Sequence, residues 1–274
     1  TDNYFGVKYL YRKFKLKRFK ERIAKYQYGL ADAGWNSLFI ENHDQRRSVG
    51  RFGTTASPEY KNYSSKMLAL CYFMLRGTPF IYQGQELGMT NIGSKDLNDY
   101  QDVELMRMHN MAKKHPFIKM LIGKHMFDVS RDNARTPMQW DSSEYAGFST
   151  AEPWLKVNPD KDKVNAKAEM RDHDSLYTWY KELIRLKRSE KVLQKGRFEL
   201  LLENDKNLFA YTRENDDTIA LVVCNFSEKV IPNTKLDLTG YENVLSNYAK
   251  AYDEHFLPYG ARLYIKRKHN IGEI

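Results

Sequence analysis

Three polar residues stand together where a short apolar run stops: Asn42, His43 and Asp44 follow residues 35–40. An apolar run bounded by turn-forming residues is typical of a buried parallel strand, and α/β barrels carry their chemistry at the carboxyl ends of such strands. An amide, an imidazole and a carboxylate at that place predict an active-site rim. Since Asn and Asp are also ordinary capping and turn residues, the alternative is that this segment only begins the next element.

Two further segments favour a binding site. Residues 78–89 repeat the plan of an apolar strand followed by amides, a carboxylate and glycines that permit a tight turn. Residues 131–140 are too polar and irregular for a core element, yet they carry Arg131, Arg135 and Trp140. The fixed fork of donors on arginine and the face of an aromatic ring are groups that hold sugar hydroxyls and carboxylates.

The elements that would position these residues alternate in period along the chain. Apolar spacing predicts four helices, at residues 16–31, 58–76, 101–113 and 174–188. It also predicts two short strands, at residues 36–40 and 78–82, which alternate with the first three helices. Residues 90–173 lack regular periodicity and predict a long excursion over one end of the barrel, where binding groups are common. Beyond residue 196 the pattern changes to alternation, which predicts a small antiparallel β-sandwich from strands at 198–202, 208–213, 219–223 and 261–265.

These motifs, in this order, resemble the α-amylase-type glycoside hydrolases, and within them the oligo-1,6-glucosidase and α-glucosidase branch. The resemblance covers nearly the whole chain and rests on residues 42–45 with Arg47, residues 79–84 and 86–91, residues 131–140 with 146–148, residues 153–154 with 157–159, and the helix 180–187. It implies an α/β fold: the C-terminal portion of a (β/α)₈ barrel with long substrate-side loops in residues 1–195, followed by a small antiparallel β domain in residues 196–274.

The resemblance also implies roles for the polar segment. Asp44 is expected to be the transition-state stabiliser, because an ionised carboxylate beside a glucosyl centre that becomes positive lowers the barrier. It would also bind hydroxyls 2 and 3 of the same sugar. His43 is expected to donate to a hydroxyl of that sugar, and Asn42 to take part in substrate binding.

Three charged residues elsewhere complete the expected substrate site. Arg135 resembles the arginine that fixes the far end of the terminal glucose and so selects attack from the non-reducing end. Arg131 is a second candidate, with a structural salt bridge to Asp132 or to a loop carboxylate as the favoured alternative. Glu104 resembles the acceptor-side carboxylate of the family.

The same resemblance shows what residues 1–274 do not supply. The family uses an Asp nucleophile and a Glu general acid/base on earlier barrel strands, and retaining hydrolysis needs those two carboxyl groups about 5 Å apart. Neither has a counterpart here, and a whole barrel takes roughly 250 residues by itself. We therefore expect the chain to be the C-terminal part of a larger enzyme, inactive alone, with the N-terminal half as its partner. No metal ligands or cofactor are predicted, and any calcium site of the family would lie in that half.

Composition limits the classes of protein to which the chain can belong. A hydrophobic content of 42% is typical of globular proteins, and no run approaches the roughly 18 apolar residues of a membrane span. Much of the net charge of +9 falls between Lys8 and Lys25, where a solvated helix face with outward lysines and inward Phe19 and Ile23 is favoured over a nucleic-acid patch. Cys71 and Cys224 lie in apolar contexts and predict buried thiols in a cytoplasmic protein.

The sequence thus predicts part of a retaining, exo-acting α-glucosidase that hydrolyses α-1,6 or α-1,4 bonds of short oligosaccharides. The expected partners are an oligosaccharide substrate and the N-terminal half, with no nucleic acid and no membrane. A trehalose-6-phosphate hydrolase and a catalytically silent relative acting as a binding or ancillary protein remain alternatives. Sucrose isomerases are disfavoured, because the charged loop they carry is not recognisable.

Overall fold

The computed structural model describes residue 9 and residues 13–123 and 125–268. These residues form two compact units. The first, here the loop-rich unit, draws on residues 9, 13–14, 40–52 and, apart from residue 124, 81–177. The second, here the sheet unit, draws on residues 15–39, 53–80 and 178–268.

The regular elements follow one another along the chain as short helices and strands. The helices are α1 (Leu16–Gly29), α2 (Ser48–Phe52), α3 (Pro58–Phe73), α4 (Val103–Lys114), α5 (Pro116–Ile122), α6 (Ala166–Glu169), α7 (Leu176–Ser189) and α8 (Lys191–Lys195). The strands are β1 (Ser37–Leu38), β2 (Thr78–Pro79), β3 (Arg197–Leu201), β4 (Leu208–Glu214), β5 (Thr218–Asn225), β6 (Ile231–Pro232), β7 (Glu242–Ser246), β8 (His255–Phe256) and β9 (Ala261–Arg267).

Side-chain caps set the elements of the loop-rich unit. Helix α4 begins where the carboxylate of Asp102 accepts the main-chain N–H of Glu104, and a 3₁₀ helix at Arg131–Ala134 begins where Ser130 accepts the N–H of Asp132. Helices α4 and α5 pack their inner faces into an apolar cluster formed by Tyr9, Ile92, Tyr100, Leu105, Ala112, Ile122 and Met126. In the described residues of the stretch 90–173, the predicted excursion consists of helices of 3–12 residues joined by turns and loops, with no β-strand.

The sheet unit contains the parallel pair that the sequence predicts. Strands β1 and β2 pair in parallel, with Ser37 opposite Thr78 and Leu38 opposite Pro79. Each has two residues rather than the predicted five. Gly77 precedes β2 and has a φ of +143°. A Cβ there would lie 2.4 Å from the carbonyl oxygen of Asn36, so only glycine lets these two segments of the chain approach this closely.

The remaining strands of the sheet unit pair in an antiparallel manner. Five strands pair in the order β3-β4-β5-β9-β7, and β6 pairs with β8 in a separate two-stranded sheet. The four strands predicted beyond residue 196 are confirmed as β3, β4, β5 and β9, whereas β6, β7 and β8 were not predicted. Cys71 and Cys224 are buried free thiols, as predicted.

Helix α1 corrects one expectation. Lys20, predicted to face solvent with the other lysines, is fully buried, while Phe19 and Ile23 are only half-buried. The Lys20 Nζ donates to the carbonyl oxygens of Leu202 at 2.7 Å and Asp205 at 2.8 Å, in the turn between β3 and β4. An ammonium is tolerated inside the protein because main-chain oxygens replace its water.

Candidate active site

The polar segment after β1 is a tight turn that presents a carboxylate. The side-chain oxygen of Asn42 accepts the main-chain N–H of Asp44 at 2.9 Å, which closes the turn. His43 Nε2 lies 3.3 Å from Asp44 Oδ2, and both side chains are largely exposed, 68% for His43 and 54% for Asp44. Asn42 therefore shapes the turn, while His43 and Asp44 remain accessible to a ligand.

Arg135 holds this turn from the end of the 3₁₀ helix Arg131–Ala134. Its Nε donates to the carbonyl oxygen of His43 at 2.9 Å, and its NH2 donates to Asp44 Oδ1 at 3.0 Å. A planar guanidinium that binds the main chain and the carboxylate together fixes the direction of that carboxylate. The structure thus brings together Asp44 and Arg135, which the sequence places 91 residues apart.

Arg131 lies between two carboxylates. Its NH2 donates to Asp102 Oδ1 at 2.9 Å, and its NH1 lies 3.9 Å from Asp44 Oδ1. The hydrogen bond to Asp102 raises the pKa of Arg131 above its ordinary value, and the nearby charges of Glu104 and Asp44 act in the same direction. The salt bridge expected for Arg131 is formed with Asp102, not with Asp132.

Asp102 is the buried anchor of this arginine. Its carboxylate accepts the N–H of Arg131 at 3.0 Å, the Ser130 hydroxyl at 3.2 Å and the N–H of Glu104 at 3.0 Å. Because Glu104 occupies the first turn of the helix that Asp102 caps, its exposed carboxylate lies on the Arg131 side of the cluster. The structure therefore gathers five of the candidates through their charged or polar groups: the Asp44 and Glu104 carboxylates, the His43 imidazole, and the Arg131 and Arg135 guanidinium groups.

A buried ion pair closes the base of the turn and was not predicted from the sequence. Arg47 NH1 donates to Glu41 Oε2 at 3.1 Å and to the carbonyl oxygen of Gln83 at 2.7 Å, and both charged side chains are buried. Glu41 Oε1 accepts the N–H and the hydroxyl of Ser48, each at 2.7 Å. Glu41 and Arg47 lie six residues apart, one on each side of the polar segment. This spacing of an acid and a cation is the sequence signal that could have predicted the pair.

The cluster combines an exposed carboxylate acceptor with guanidinium and imidazole donors. Asp44 offers a fixed negative charge whose direction is set by two arginines, and its exposure leaves room to accept hydroxyl hydrogen bonds or to face a developing cation. Among the residues that the structure describes, no group of His, Cys, Asp and Glu has the geometry to hold a metal ion. The expectation of no cofactor stays a prediction.

Comparison with known proteins places this chain in a family. The model of the α-amylase catalytic domain matches residues 2–196, and that of the α-amylase C-terminal all-beta domain matches residues 201–269. The chain belongs to the α-amylase family of glycoside hydrolases. This confirms the predicted fold class, the C-terminal portion of a (β/α)₈ barrel followed by an antiparallel β domain.

The similar curated proteins include oligo-1,6-glucosidases and a trehalose-6-phosphate hydrolase. The chain is 38% identical to an oligo-1,6-glucosidase of Halalkalibacterium halodurans over 92% of the chain and 46% of that protein. It is 39% identical to a trehalose-6-phosphate hydrolase of Bacillus subtilis over 81% of the chain and 39% of that protein. The chain spans about half the length of the curated relatives it matches.

Solved structures agree on the fold. A trehalose-6-phosphate hydrolase of Bacillus licheniformis superposes with a TM-score of 0.88 at 35% identity, over 97% of this chain and 50% of the other. An isomaltulose synthase of Klebsiella superposes with a TM-score of 0.86 at 30% identity, over 96% and 49%. As the sequence predicts, the chain represents the C-terminal part of the oligo-1,6-glucosidase branch of this family.

Proposed function

We propose that this chain is the C-terminal part of a retaining, exo-acting α-glucosidase that cleaves α-1,6 or α-1,4 bonds of short oligosaccharides. In this proposal residues 1–195 belong to the catalytic barrel and residues 196–274 form the C-terminal β domain. The observation that carries it is the clamp on Asp44, where Arg135 and Arg131 approach one carboxylate oxygen at 3.0 and 3.9 Å. A carboxylate fixed before substrate arrives stabilises a transition-state charge without reorganisation.

Each candidate residue has a role in this scheme. Asp44 binds hydroxyls of the terminal α-glucosyl unit and stabilises its positive charge as the bond breaks. His43, with its imidazole beside Asp44 and exposed, donates to a hydroxyl of the same unit. Asn42 shapes the turn, and Arg135 and Arg131 orient Asp44 and close the far end of the glucose site.

Glu104 supplies the acceptor side. It lies at the exposed start of α4, close enough to Arg131 to raise the pKa of that arginine. A carboxylate at this position accepts hydrogen bonds from hydroxyls of the departing sugar. The partner on this side is therefore the remainder of a short oligosaccharide.

In this proposal the nucleophile and the general acid come from the N-terminal half of the same enzyme. Other carboxylates near Asp44 are already engaged: Asp102 binds Arg131, and Asp132 is buried and accepts the N–H of Gln101 at 2.6 Å. Neither is free to attack a sugar carbon or to protonate a leaving group. The proposal thus has the chain inactive alone, with the N-terminal half as its partner.

Hydrolysis of trehalose 6-phosphate is the second candidate activity. It is favoured by the superposition on the trehalose-6-phosphate hydrolase of Bacillus licheniformis at a TM-score of 0.88. A silent relative that only binds sugar is the third. It is disfavoured because such a protein has no need to keep Asp44, His43 and Arg135 in one hydrogen-bonded group.

The test compares the chain alone with the chain joined behind the N-terminal half of the Halalkalibacterium oligo-1,6-glucosidase. The chain alone should release no glucose from an aryl α-glucoside or isomaltose, and the joined protein should release it from both. Activity on trehalose 6-phosphate but not on isomaltose would favour the second candidate. Glucose release by the chain alone would refute the need for a second half, and a folded but inactive joined protein would favour the silent relative.

A further inference from the structure

The hairpin of α4 and α5 has an unusual charge pattern. Between Glu104 and Asp128 the sequence contains no acidic residue, while it contains Arg107, Lys113, Lys114, Lys119 and Lys124. The four of these cations that the structure describes are exposed: Arg107, Lys113, Lys114 and Lys119. A surface with cations and no intervening carboxylate attracts anionic partners.

The same hairpin exposes large apolar side chains. Its inner face is buried in the cluster around Leu105, Ala112 and Ile122. On the outside, 67% of Phe117 and 70% of Met120 are exposed, and Leu121 and Met111 are exposed as well. The hairpin therefore has apolar side chains on its inner face and on its exposed surface. The exposed apolar residues, together with the exposed cations of the same two helices, are called here the hairpin patch.

We propose that the hairpin patch binds the surface of an anionic lipid membrane. Apolar side chains that enter the headgroup region, flanked by lysines that reach lipid phosphates, are the two components of interfacial attachment. Lysine and arginine stems lie along apolar surface while their charges remain in water, so both components act at once. The binding is independent of the proposed glucosidase activity.

The charges and apolar side chains of the hairpin argue against two other occupants, a second copy of this chain and a nucleic acid. In a symmetric dimer through this patch, the cations of one copy would face those of the other, and like charges that oppose each other weaken association. A nucleic acid would use the cations but would leave Phe117 and Met120 exposed to water. An anionic membrane satisfies the cations and the apolar side chains together.

Attachment of this kind lies on the membrane and does not cross it. Among the described residues, no helix has the length and apolarity to span a bilayer. The sequence expectation of no membrane partner rested on the lack of a spanning run. That expectation is otherwise untested, and the present proposal concerns only attachment through the hairpin patch to a membrane surface.

The test is cosedimentation of the whole chain with vesicles. Two sets are compared, pure phosphatidylcholine and phosphatidylcholine mixed with an equal amount of phosphatidylglycerol. The chain should pellet with the anionic vesicles, release with added salt, and remain in solution with the neutral ones. Equal binding to both sets, or no binding to either, would overturn the proposal.

Two triple variants locate the binding. The apolar variant carries Phe117→Ser, Met120→Ser and Leu121→Ser, and the cation variant carries Lys113→Gln, Lys114→Gln and Lys119→Gln. Each should weaken binding to anionic vesicles at least ~10-fold, since each removes one of the two components. The matched controls replace exposed residues elsewhere and should bind as the original chain does: Val230→Ser with Tyr252→Ser, and Lys191→Gln, Lys195→Gln and Lys206→Gln.

Two further measurements check the folding and the self-association of each variant. Circular dichroism checks that every variant is folded, and substitutions at exposed positions are expected to preserve the spectrum. Sedimentation velocity without lipid measures self-association. A dimer that the apolar variant abolishes would assign the patch to a second copy, and unchanged vesicle binding by both triple variants would place binding elsewhere; either result overturns the proposal.

Discussion

The two units treat buried charge in different ways. In the loop-rich unit, buried charged groups are paired with opposite charges: Arg47 with Glu41 at 3.1 Å, and Asp102 with Arg131 at 2.9 Å. In the sheet unit, buried cations donate to main-chain carbonyl oxygens instead. Arg213 donates to Met74 at 2.6 Å and to Leu193 at 3.0 Å.

The pKa values record the difference. Burial lowers the pKa of Lys20 to about 8, that of Lys187 to about 6 and that of Arg213 to about 10. In contrast, the hydrogen bond to Asp102 raises the pKa of Arg131. Desolvation is the largest cause of all three lowered pKa values, and at Lys20 it outweighs the opposing charges of Asp205 and Glu203, whereas the side chain of Arg131 is only partly buried.

The buried charges of the loop-rich unit serve the site, whereas those of the sheet unit serve stability. Ion pairs in the loop-rich unit hold charged groups in fixed directions around Asp44, as an electrostatic site requires. Carbonyl contacts in the sheet unit instead join chain segments that are distant in sequence; Arg213 lies 139 residues from Met74. Substitutions at Arg47, Arg213 and Lys187 test whether the two units differ in this way.

The largest effect on stability is expected for Arg47→Met. It leaves Glu41 buried with its charge unpaired, so the free energy of unfolding should fall by about 3–5 kcal/mol in urea denaturation. The double variant Glu41→Gln with Arg47→Met should recover part of the loss, because it removes the stranded charge. A loss below ~1 kcal/mol for the single variant would show that the pair does not hold the turn.

A smaller loss is expected for Arg213→Met in the sheet unit. The substitution removes donors from several buried carbonyl oxygens but leaves no unpaired charge, so the expected loss is about 1–3 kcal/mol. The matched control is Arg185→Met on α7, whose exposed guanidinium pairs with Glu182, and this change should leave the unfolding curve unmoved. If Arg213→Met costs more than Arg47→Met, the comparison between the units fails.

Counted per pH unit, the smallest effect is a dependence of stability on pH carried by Lys187. Its pKa is lowered from 10.5 to about 6, chiefly by burial and further by Arg213, so the unfolded chain holds a proton that the folded chain lacks between those values. The stability of the original chain should therefore rise with pH in that window by up to ~1.4 kcal/mol per pH unit from this group. Below about pH 6 both states are protonated and this slope ends.

Lys187→Met removes that slope. Urea denaturation from about pH 6 to pH 9 should show the stability of the original chain gaining on that of the variant as pH rises. Lys235→Met is the control, since this exposed lysine pairs with Asp205 and is not buried. Parallel curves for the original chain and Lys187→Met would contradict a buried lysine that releases its proton.

The sequence predicted the long helices and the barrel strands because their apolar spacing is strong. Helices α1, α3, α4 and α7 lie within the predicted segments or close to their bounds. Strand β7 escaped prediction because its residues are exposed or half-buried and show no clean alternation. Helix α5 was missed because it has only seven residues and lies in the stretch 90–173, which lacks regular apolar periodicity.

The sequence predicted which residues form the site but not which of them bind each other. Residue type and the order of motifs gave Asp44, His43, Arg131 and Arg135. Which carboxylate binds Arg131 depends on the path of the chain between residues 102 and 131, which local pattern does not encode. Lys20 was misplaced for a similar reason, because the carbonyl oxygens that accept its hydrogen bonds lie 182 and 185 residues away.

The clamp on Asp44 has its clearest test in the turnover of Asp44→Asn in the enzyme completed with an N-terminal half. Loss of the negative charge should lower kcat/KM on an aryl α-glucoside by at least ~100-fold, the scale of losing one well-placed electrostatic group. The control Asp162→Asn changes an exposed carboxylate outside the clamp and should retain full activity. Full activity in Asp44→Asn would contradict the assignment of this carboxylate to the reacting sugar.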